Sequence, residues 1–227
     1  MSRYEVKLVG RRIDLHRIRA NLELLSSALR ELHPERTVQS VYLDTPDGRA
    51  LADNLAGIAA RQKLRVRWYG EAVAGVVAQL ECKRRHGVLG DKPLFEVAGR
   101  LDVEGVSRRD FLAALRERVP AAARGLLSGQ EPVQWIWYRR EYFGSADGRL
   151  RVTLDRDLGA ADLRFGAMVS RRRPTPLPEL VVVEVKAAAG HEAEVQKWLQ
   201  EVPLRPSRCS KFVLAHHPGQ AMAPSAW

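Results

Sequence analysis

At 227 residues the chain can bury a sizeable core, and 45 % apolar with 28 % charged residues excludes a disordered or fibrous chain. Lys and Arg total 37 against 27 Asp and Glu, a net charge of +10 that predicts a polyanionic partner: nucleic acid, polyphosphate, a nucleotide or an anionic membrane surface. Two cysteines, Cys82 and Cys209, exclude a disulfide framework, and no apolar run is long enough to insert into a membrane.

The first predicted element is a strand, Arg3–Val9, where charged and apolar residues alternate. It lacks the apolar stretch of a secretory signal, so a cytoplasmic location is expected. Asp14 reads as the N-cap of a helix carrying Leu15, Ile18, Leu22, Leu25 and Leu29 at spacings of three and four, ending near Pro34. Strands are predicted next at Ser40–Asp44, Lys63–Tyr69, Val77–Arg85 and Leu94–Val97, with Asp44-Thr-Pro-Asp-Gly48 as a turn. Ser107-Arg-Arg-Asp110 has the shape of a capping box ahead of Phe111, Leu112 and Leu115, and Pro120 stops that helix. Trp135–Phe143 and Arg149–Asp155 flank Ser145-Ala-Asp-Gly148 as a hairpin. Arg164–Pro178, with Arg171-Arg-Arg173 and three prolines, reads as a long mobile loop. A strand at Leu180–Lys186, a helix from about His191 to Glu201 with Val195, Trp198 and Leu199 on one face, a strand at Lys211–Ala215 and a tail over 216–227 complete the chain. No repeat or linker divides it, so the expectation is one domain over residues 1–227, of α+β class with a mainly antiparallel sheet.

Splitting each strand into its two faces shows the informative pattern. Val6 and Leu8 oppose Glu5 and Lys7; Leu64, Val66 and Trp68 oppose Lys63, Arg65 and Arg67; Leu80 and Cys82 oppose Glu81, Lys83 and Arg85. Val152 and Leu154 oppose Arg151, Thr153 and Asp155, and Val183 and Val185 oppose Glu184 and Lys186. An open sheet with its charged side in water is one reading, with cross-strand Glu–Lys pairs as modest stabilisers. The cations Lys7, Arg65, Arg67, Lys83, Arg140, Arg151, Lys186 and Lys211 nevertheless outnumber the carboxylates Glu5, Glu81, Asp155 and Glu184. A solvated face has no reason to collect such an excess, because neighbouring like charges destabilise a sheet. A tunnel holding a polyphosphate and a divalent metal resolves the imbalance: arginine takes phosphate oxygens bidentately, lysine adds point charge, and hard carboxylates hold Mg²⁺ or Mn²⁺. On this reading Arg65→Ala or Arg151→Ala is expected to keep or raise stability by relieving repulsion.

The same residues carry a resemblance. Arg3-Tyr-Glu-Val-Lys7, Ser40-Val-Tyr-Leu-Asp-Thr-Pro-Asp47, Lys63-Leu-Arg-Val-Arg-Trp-Tyr-Gly70, Leu80-Glu-Cys-Lys83, Tyr138-Arg-Arg-Glu-Tyr-Phe143, Leu150-Arg-Val-Thr-Leu-Asp155, Val183-Glu-Val-Lys186 and Ser210-Lys-Phe212 occur in that order. Together they resemble the VTC domain, the polyphosphate polymerase domain of the vacuolar transporter chaperone complex and its bacterial relatives, within the triphosphate tunnel metalloenzymes. Arg3 stands where the CYTH branch of that superfamily has a first glutamate, and Arg-x-Glu-x-Lys is the VTC style.

The resemblance implies a closed antiparallel β-barrel of about eight strands around a basic tunnel, with a few flanking helices. It implies that Arg65, Arg67, Lys83, Arg140, Arg151 and Lys211 are catalytic residues holding phosphates, with Lys7 and Lys186 beside them. Glu184 matches the metal-binding glutamate; Glu5, Glu81 and Asp155 either complete the metal shell or pair with cations. The implied reaction is transfer of the ATP γ-phosphate to a growing polyphosphate chain with Mn²⁺ or Mg²⁺. Hydrolysis of tripolyphosphate on the same fold and a non-catalytic polyphosphate-binding module are the alternatives. Nucleic acid is not expected, since no helix-turn-helix, RNP, KH or zinc signature accompanies the charge. Relatives that export polyphosphate add membrane helices, so a separate membrane partner is expected for any such coupling. The six histidines show no zinc spacing with the cysteines, Arg171-Arg-Arg173 reads as a solvated loop or a lure for polyanion at a tunnel mouth, and Tyr69, Tyr138 and Tyr142 read as packing or phosphate-binding groups.

Overall fold

The alternating segments form strands. The computed structural model describes residues 3–217 except 25–28, 88, 189, 203 and 208. β1 (Arg3–Arg11) is followed by a 3₁₀ turn, Arg12–Asp14, and α1 (Leu15–Leu24). β2 (Arg30–Asp44), α2 (Arg49–Leu55), β3 (Ala60–Tyr69) and β4 (Gln79–His86) come next, then the short β5 (Leu89–Asp91) and β6 (Leu94–Glu96). β7 (Val106–Ser107) leads into α3 (Arg108–Arg118) and α4 (Ala121–Arg124), and β8 (Glu131–Gly144) turns into β9 (Leu150–Asp162). The chain ends with β10 (Met168–Val169), β11 (Pro174–Thr175), β12 (Leu180–Ala188), α5 (Glu192–Glu201), β13 (Arg205–Pro206) and α6 (Lys211–His216).

The main sheet runs β13-β1-β12-β9-β8-β2-β3-β4-β5, with β11 added on β9 and β6 on β4. Every pairing is antiparallel. The α+β class holds, but the expected closed barrel does not: the sheet is open and curved, and β1 does not pair with β4. On its outer edge β1 pairs with β13 at Leu8 and Val9, and β4 pairs with β5 and β6 rather than with β1.

Three elements differ from their sequence readings. The helix after Asp14 ends at Leu24, and Arg30–Asp44 is a 15-residue strand; Leu25 lies outside the described residues. Register shifts between Glu31, His33 and Arg36 let β2 pass Pro34, whose missing N–H the ladder cannot use. Lys211–Ala215 is helical rather than extended, because the Ser210 side chain accepts from the Val213 amide and caps α6. Arg164–Pro178 contains β10, paired with β7, and β11, paired with β9. The capping box is as expected, with Ser107 accepting from the Asp110 amide at the start of α3. The side chains of Arg3 and Trp198 and the tail over 218–227 lie outside the described residues.

The apolar face of the sheet carries two cores. Val66, Trp68, Leu80 and Trp135 pack with Phe111, Leu112 and Leu115 of α3; Leu8, Val152, Leu154, Val183 and Val185 pack with Ile18 and Leu22 of α1 and Val195 of α5. Gly159 is required where the Trp137 ring crosses β9, since a Cβ there would lie 2.2 Å from Trp137 Cε2. On the opposite, charged face, α6 covers one end: Phe212 and Ala215 pack on Tyr42, Ile136 and Tyr138, with the Phe212 ring stacked on Tyr42 at 4.8 Å.

Candidate polyanion site

β4 and β1 stand six strand steps apart in the sheet, about 29 Å along a flat surface at ~4.8 Å per step. Lys83 of β4 is nevertheless within electrostatic reach of Glu5 and Lys7 on β1 and of Glu184 and Lys186 on β12. Only a strongly curled sheet brings these together, so the charged face is concave and its two ends look at each other across a cleft. The segment leading to α6 spans the gap: Lys7 Nζ donates to the Cys209 carbonyl at 3.2 Å, and Lys63 Nζ donates to Ser210 Oγ at 2.8 Å.

Two buried carboxylates organise most of the cations. Glu81, 3 % exposed, accepts from Arg65 Nε at 2.7 Å and lies 3.6 Å from Arg67 Nη1 and 3.0 Å from Lys92 Nζ. Burial alone would raise its pKa; Arg65, Arg67 and Lys92 outweigh that and hold it at about 2. Arg65 also donates to the Tyr42 hydroxyl at 2.8 Å, and Arg67 to Ser40 Oγ at 3.3 Å and the Tyr138 hydroxyl at 3.2 Å. Asp155, fully buried, accepts from Arg140 Nη2 at 2.7 Å and from Lys211 Nζ at 2.6 Å. Against its burial, Lys211 and Arg140 hold its carboxyl below the usual range. Burial would likewise raise the Tyr138 phenol, but Arg67, Arg140 and Lys211 bring it below its ordinary value.

A second group lies across β12 and β1. Glu184 is 2.6 Å from Lys186 and 3.9 Å from Arg140, while Glu5 is 3.4 Å from Lys7 and 3.9 Å from Lys186. Glu184 is held far below the ordinary carboxylate range, with Lys7 and Lys186 overcoming its burial. Thr153 sits opposite Glu184 in the ladder, and its Oγ1 is buried with no hydrogen-bond partner, as is the hydroxyl of Tyr142 beside it.

The structure therefore brings Lys7, Arg65, Arg67, Lys83, Arg140, Lys186 and Lys211 to one concave face. Arg151 is exposed at the rim next to Lys186 in the ladder. Arg171 turns to the other face of the sheet, stacking on Trp135 and Trp137 and pairing with Glu104 at 3.8 Å, so it lines no cleft mouth. Sequence reading passed over Lys92, Ser40, Tyr42 and Ser210; the serines and Tyr42 fall within the motifs quoted above, whereas Lys92 sits in the link between β5 and β6 with no local signal.

Among the described residues no three metal-ligating side chains converge. Glu81 is saturated by three cations. Glu184 and Glu5 fit a divalent ion better: both face the Lys186 ammonium, a point where a cation already sits, and the orphaned Thr153 hydroxyl adds a hard oxygen.

The class the fold and site define is an α+β protein whose curved antiparallel sheet presents a concave, carboxylate-anchored band of cations. The VTC domain family matches residues 3–217, and the chain belongs to that family, one of polyphosphate- and triphosphate-related enzymes. Two solved structures share the fold. One is the PH1819 protein from Pyrococcus horikoshii OT3, 16 % identical with a TM-score of 0.51, covering 93 % of this chain and 97 % of its own. The other, described as a proposed adenylate cyclase from Vibrio parahaemolyticus, is 14 % identical with a TM-score of 0.51, covering 94 % and 99 %. No protein of curated function matches the sequence. Among the described residues no helix is long and apolar enough to cross a membrane.

Proposed function

We propose that the protein is a metal-dependent polyphosphate polymerase that transfers the γ-phosphate of ATP to a polyphosphate chain lying in the cleft. The observation that carries this reading is that Arg65, Arg67, Arg140 and Lys211 are fixed on one concave face by only two buried carboxylates, in a VTC domain. Arginine suits such a role because its planar fork of donors matches phosphate oxygens bidentately.

In the reaction a terminal oxygen of the chain attacks the γ-phosphorus, the bond from the γ-phosphorus to the β,γ-bridging oxygen breaks, and ADP leaves with that electron pair. The protein's part in such chemistry is to position and neutralise. Arg65 and Arg67, oriented by Glu81, Tyr42 and Tyr138, hold one phosphate group; Arg140 and Lys211, oriented by Asp155, hold the next. Lys7, Lys83 and Lys186 add positive charge from the facing side. Glu184, Glu5 and Thr153 would hold Mn²⁺ or Mg²⁺, which when bound supplies Lewis-acid neutralisation of phosphate oxygens.

The test is incubation with ATP and Mn²⁺ and separation of polyphosphate, phosphate and ADP. Polyphosphate formed in step with ADP is expected, and Glu184→Gln, a poorer ligand for a hard cation, should lower turnover at least a hundredfold with the fold intact. Release of phosphate without chain growth would replace this reading with hydrolysis; no turnover with retained tripolyphosphate binding would replace it with a binding module.

A further inference from the structure

Lys63 differs from every other cation of the cleft. Arg65, Arg67, Lys92, Arg140, Lys211, Lys186 and Lys7 each have a carboxylate within 4 Å. Lys63 has none among the described residues, and its one hydrogen bond goes to the neutral hydroxyl of Ser210. Lys83 is its direct partner in the β3–β4 ladder, and the charged groups that act on it most strongly are cations: Lys7 from β1, Lys83 from β4, and Arg61 and Arg65 from its own strand. On β2, Asp44 lies one residue beyond the Leu43–Leu64 pair, but its carboxylate accepts from the Thr45, Ala50 and Leu51 amides. Lys83 lacks a carboxylate partner too, yet Glu5 and Glu184 act on it.

Resting on the polyphosphate reading above, we propose that Lys63 is a substrate-positioning residue that takes up a proton from solvent as the anion binds, so that it grips phosphate beside Ser210 as an ammonium. In the free protein, burial first and then the four neighbouring cations lower its pKa to about 7, so near neutrality the ammonium and the uncharged amine coexist. A phosphate group placed among Lys63, Lys7, Lys83 and Arg65 reverses the sign of the local field and restores the charged form. The proton balance is one H⁺ from buffer added to the amine, with no bond to the substrate made or broken. The consequence is a cleft that loses one gripping charge as pH rises past 7 and regains it only when polyanion is present.

The experiment is titration calorimetry of the full chain with sodium tripolyphosphate in chelator, from pH 6 to 8.5, in two buffers of different ionisation enthalpy. Wild type, Lys63→Arg and Lys63→Met are compared. The ligand's own titration is common to all three, so the differences belong to residue 63. Above pH 7 wild type should lose affinity relative to Lys63→Arg by up to about tenfold per pH unit, and near pH 8 it should take up close to one proton more. Lys63→Met should bind weakly throughout, without the extra proton. Melting curves confirm that each variant folds; if the arginine variant does not, the extra proton of wild type over Lys63→Met decides. Wild type tracking Lys63→Arg in affinity and proton uptake overturns the proposal and leaves the polyphosphate reading standing. Absence of tripolyphosphate binding to wild type at every pH overturns both.

Discussion

The concave face has two regions built on opposite electrostatic terms. In the arginine wall, Arg65 and Arg67 are paired with Glu81, Arg140 and Lys211 with Asp155, and both carboxylates are buried. In the lysine corner, where β1 comes round to face β3 and β4, Lys63 and Lys83 have no carboxylate at ion-pair distance among the described residues, and burial lowers both. The wall is held together by its charges; the corner is held together in spite of them. A preorganised wall fixes geometry, and an under-neutralised corner leaves a net field for the ligand to satisfy. Removing a charge should therefore have opposite effects on stability in the two regions.

The largest effect is expected at Asp155. Asp155→Ala leaves Arg140 and Lys211 buried and facing each other, which costs about 3–5 kcal/mol when one partner of a buried pair is removed. For a chain of this length that is a fall in melting temperature of roughly 10 °C, measurable by calorimetry. An unchanged melting temperature would mean that the wall is not charge-held. Arg65→Ala should also destabilise, by about 1–3 kcal/mol, because Glu81 loses its bonded partner. This reverses the expectation from sequence that the change would relieve repulsion: alternation placed Arg65 on the charged face without showing that Glu81 is bonded to it there.

The acid limb of stability sharpens the comparison. Glu81 has a folded pKa of about 2 against an ordinary 4.5, so its contribution is fully present above about pH 4.5 and is lost as pH falls through 2. Arg65→Ala removes the chief cause of that shift and should move the acid-unfolding midpoint upward. A Lys83 variant should not move the midpoint upward. Identical acid midpoints for wild type and Arg65→Ala would break the assignment of Glu81 to the wall.

Period-two alternation revealed the sheet, its charged face and most of the wall, because side-chain direction in a strand is local information. Curvature was not legible in the same way. Whether β1 pairs with β4 is a matter of how far the whole sheet curls, and the elements beside those edges, β13, β5 and β6, are two- and three-residue strands with no periodic signal. α6 was misread for a related reason: Lys211-Phe-Val-Leu-Ala215 alternates in part like a strand, but the Ser210 cap and the packing of Phe212 on Tyr42 decide for a helix. The charge census was correct as a count and misleading as energetics, since a few buried carboxylates serve several cations at once. Lys63 was visible on the charged face from the start. What singles it out is that the charged groups acting on it most strongly, drawn from three strands, are cations, a fact of tertiary placement.

The smallest effect is expected at Lys83. Its ammonium is reached by water, yet burial first, and then Lys7 and Lys186, lower its pKa against the pull of Glu5 and Glu184. Below that lowered pKa the lysine is charged in both folded and unfolded chains, and the folded protein bears the full cost. As pH climbs toward the ordinary 10.5, the folded amine is already neutral while the unfolded one is not, so the cost fades. Lys83→Met should thus raise the melting temperature of the ligand-free protein slightly near neutral pH, by less than about 1 kcal/mol because solvent screens the exposed ammonium, and the gain should shrink as pH rises. Tripolyphosphate should invert the order, since wild type then gains a contact that the variant lacks. A loss of stability in the ligand-free Lys83→Met variant would show that Glu5 and Glu184 outweigh the facing lysines, and the corner would become a second wall.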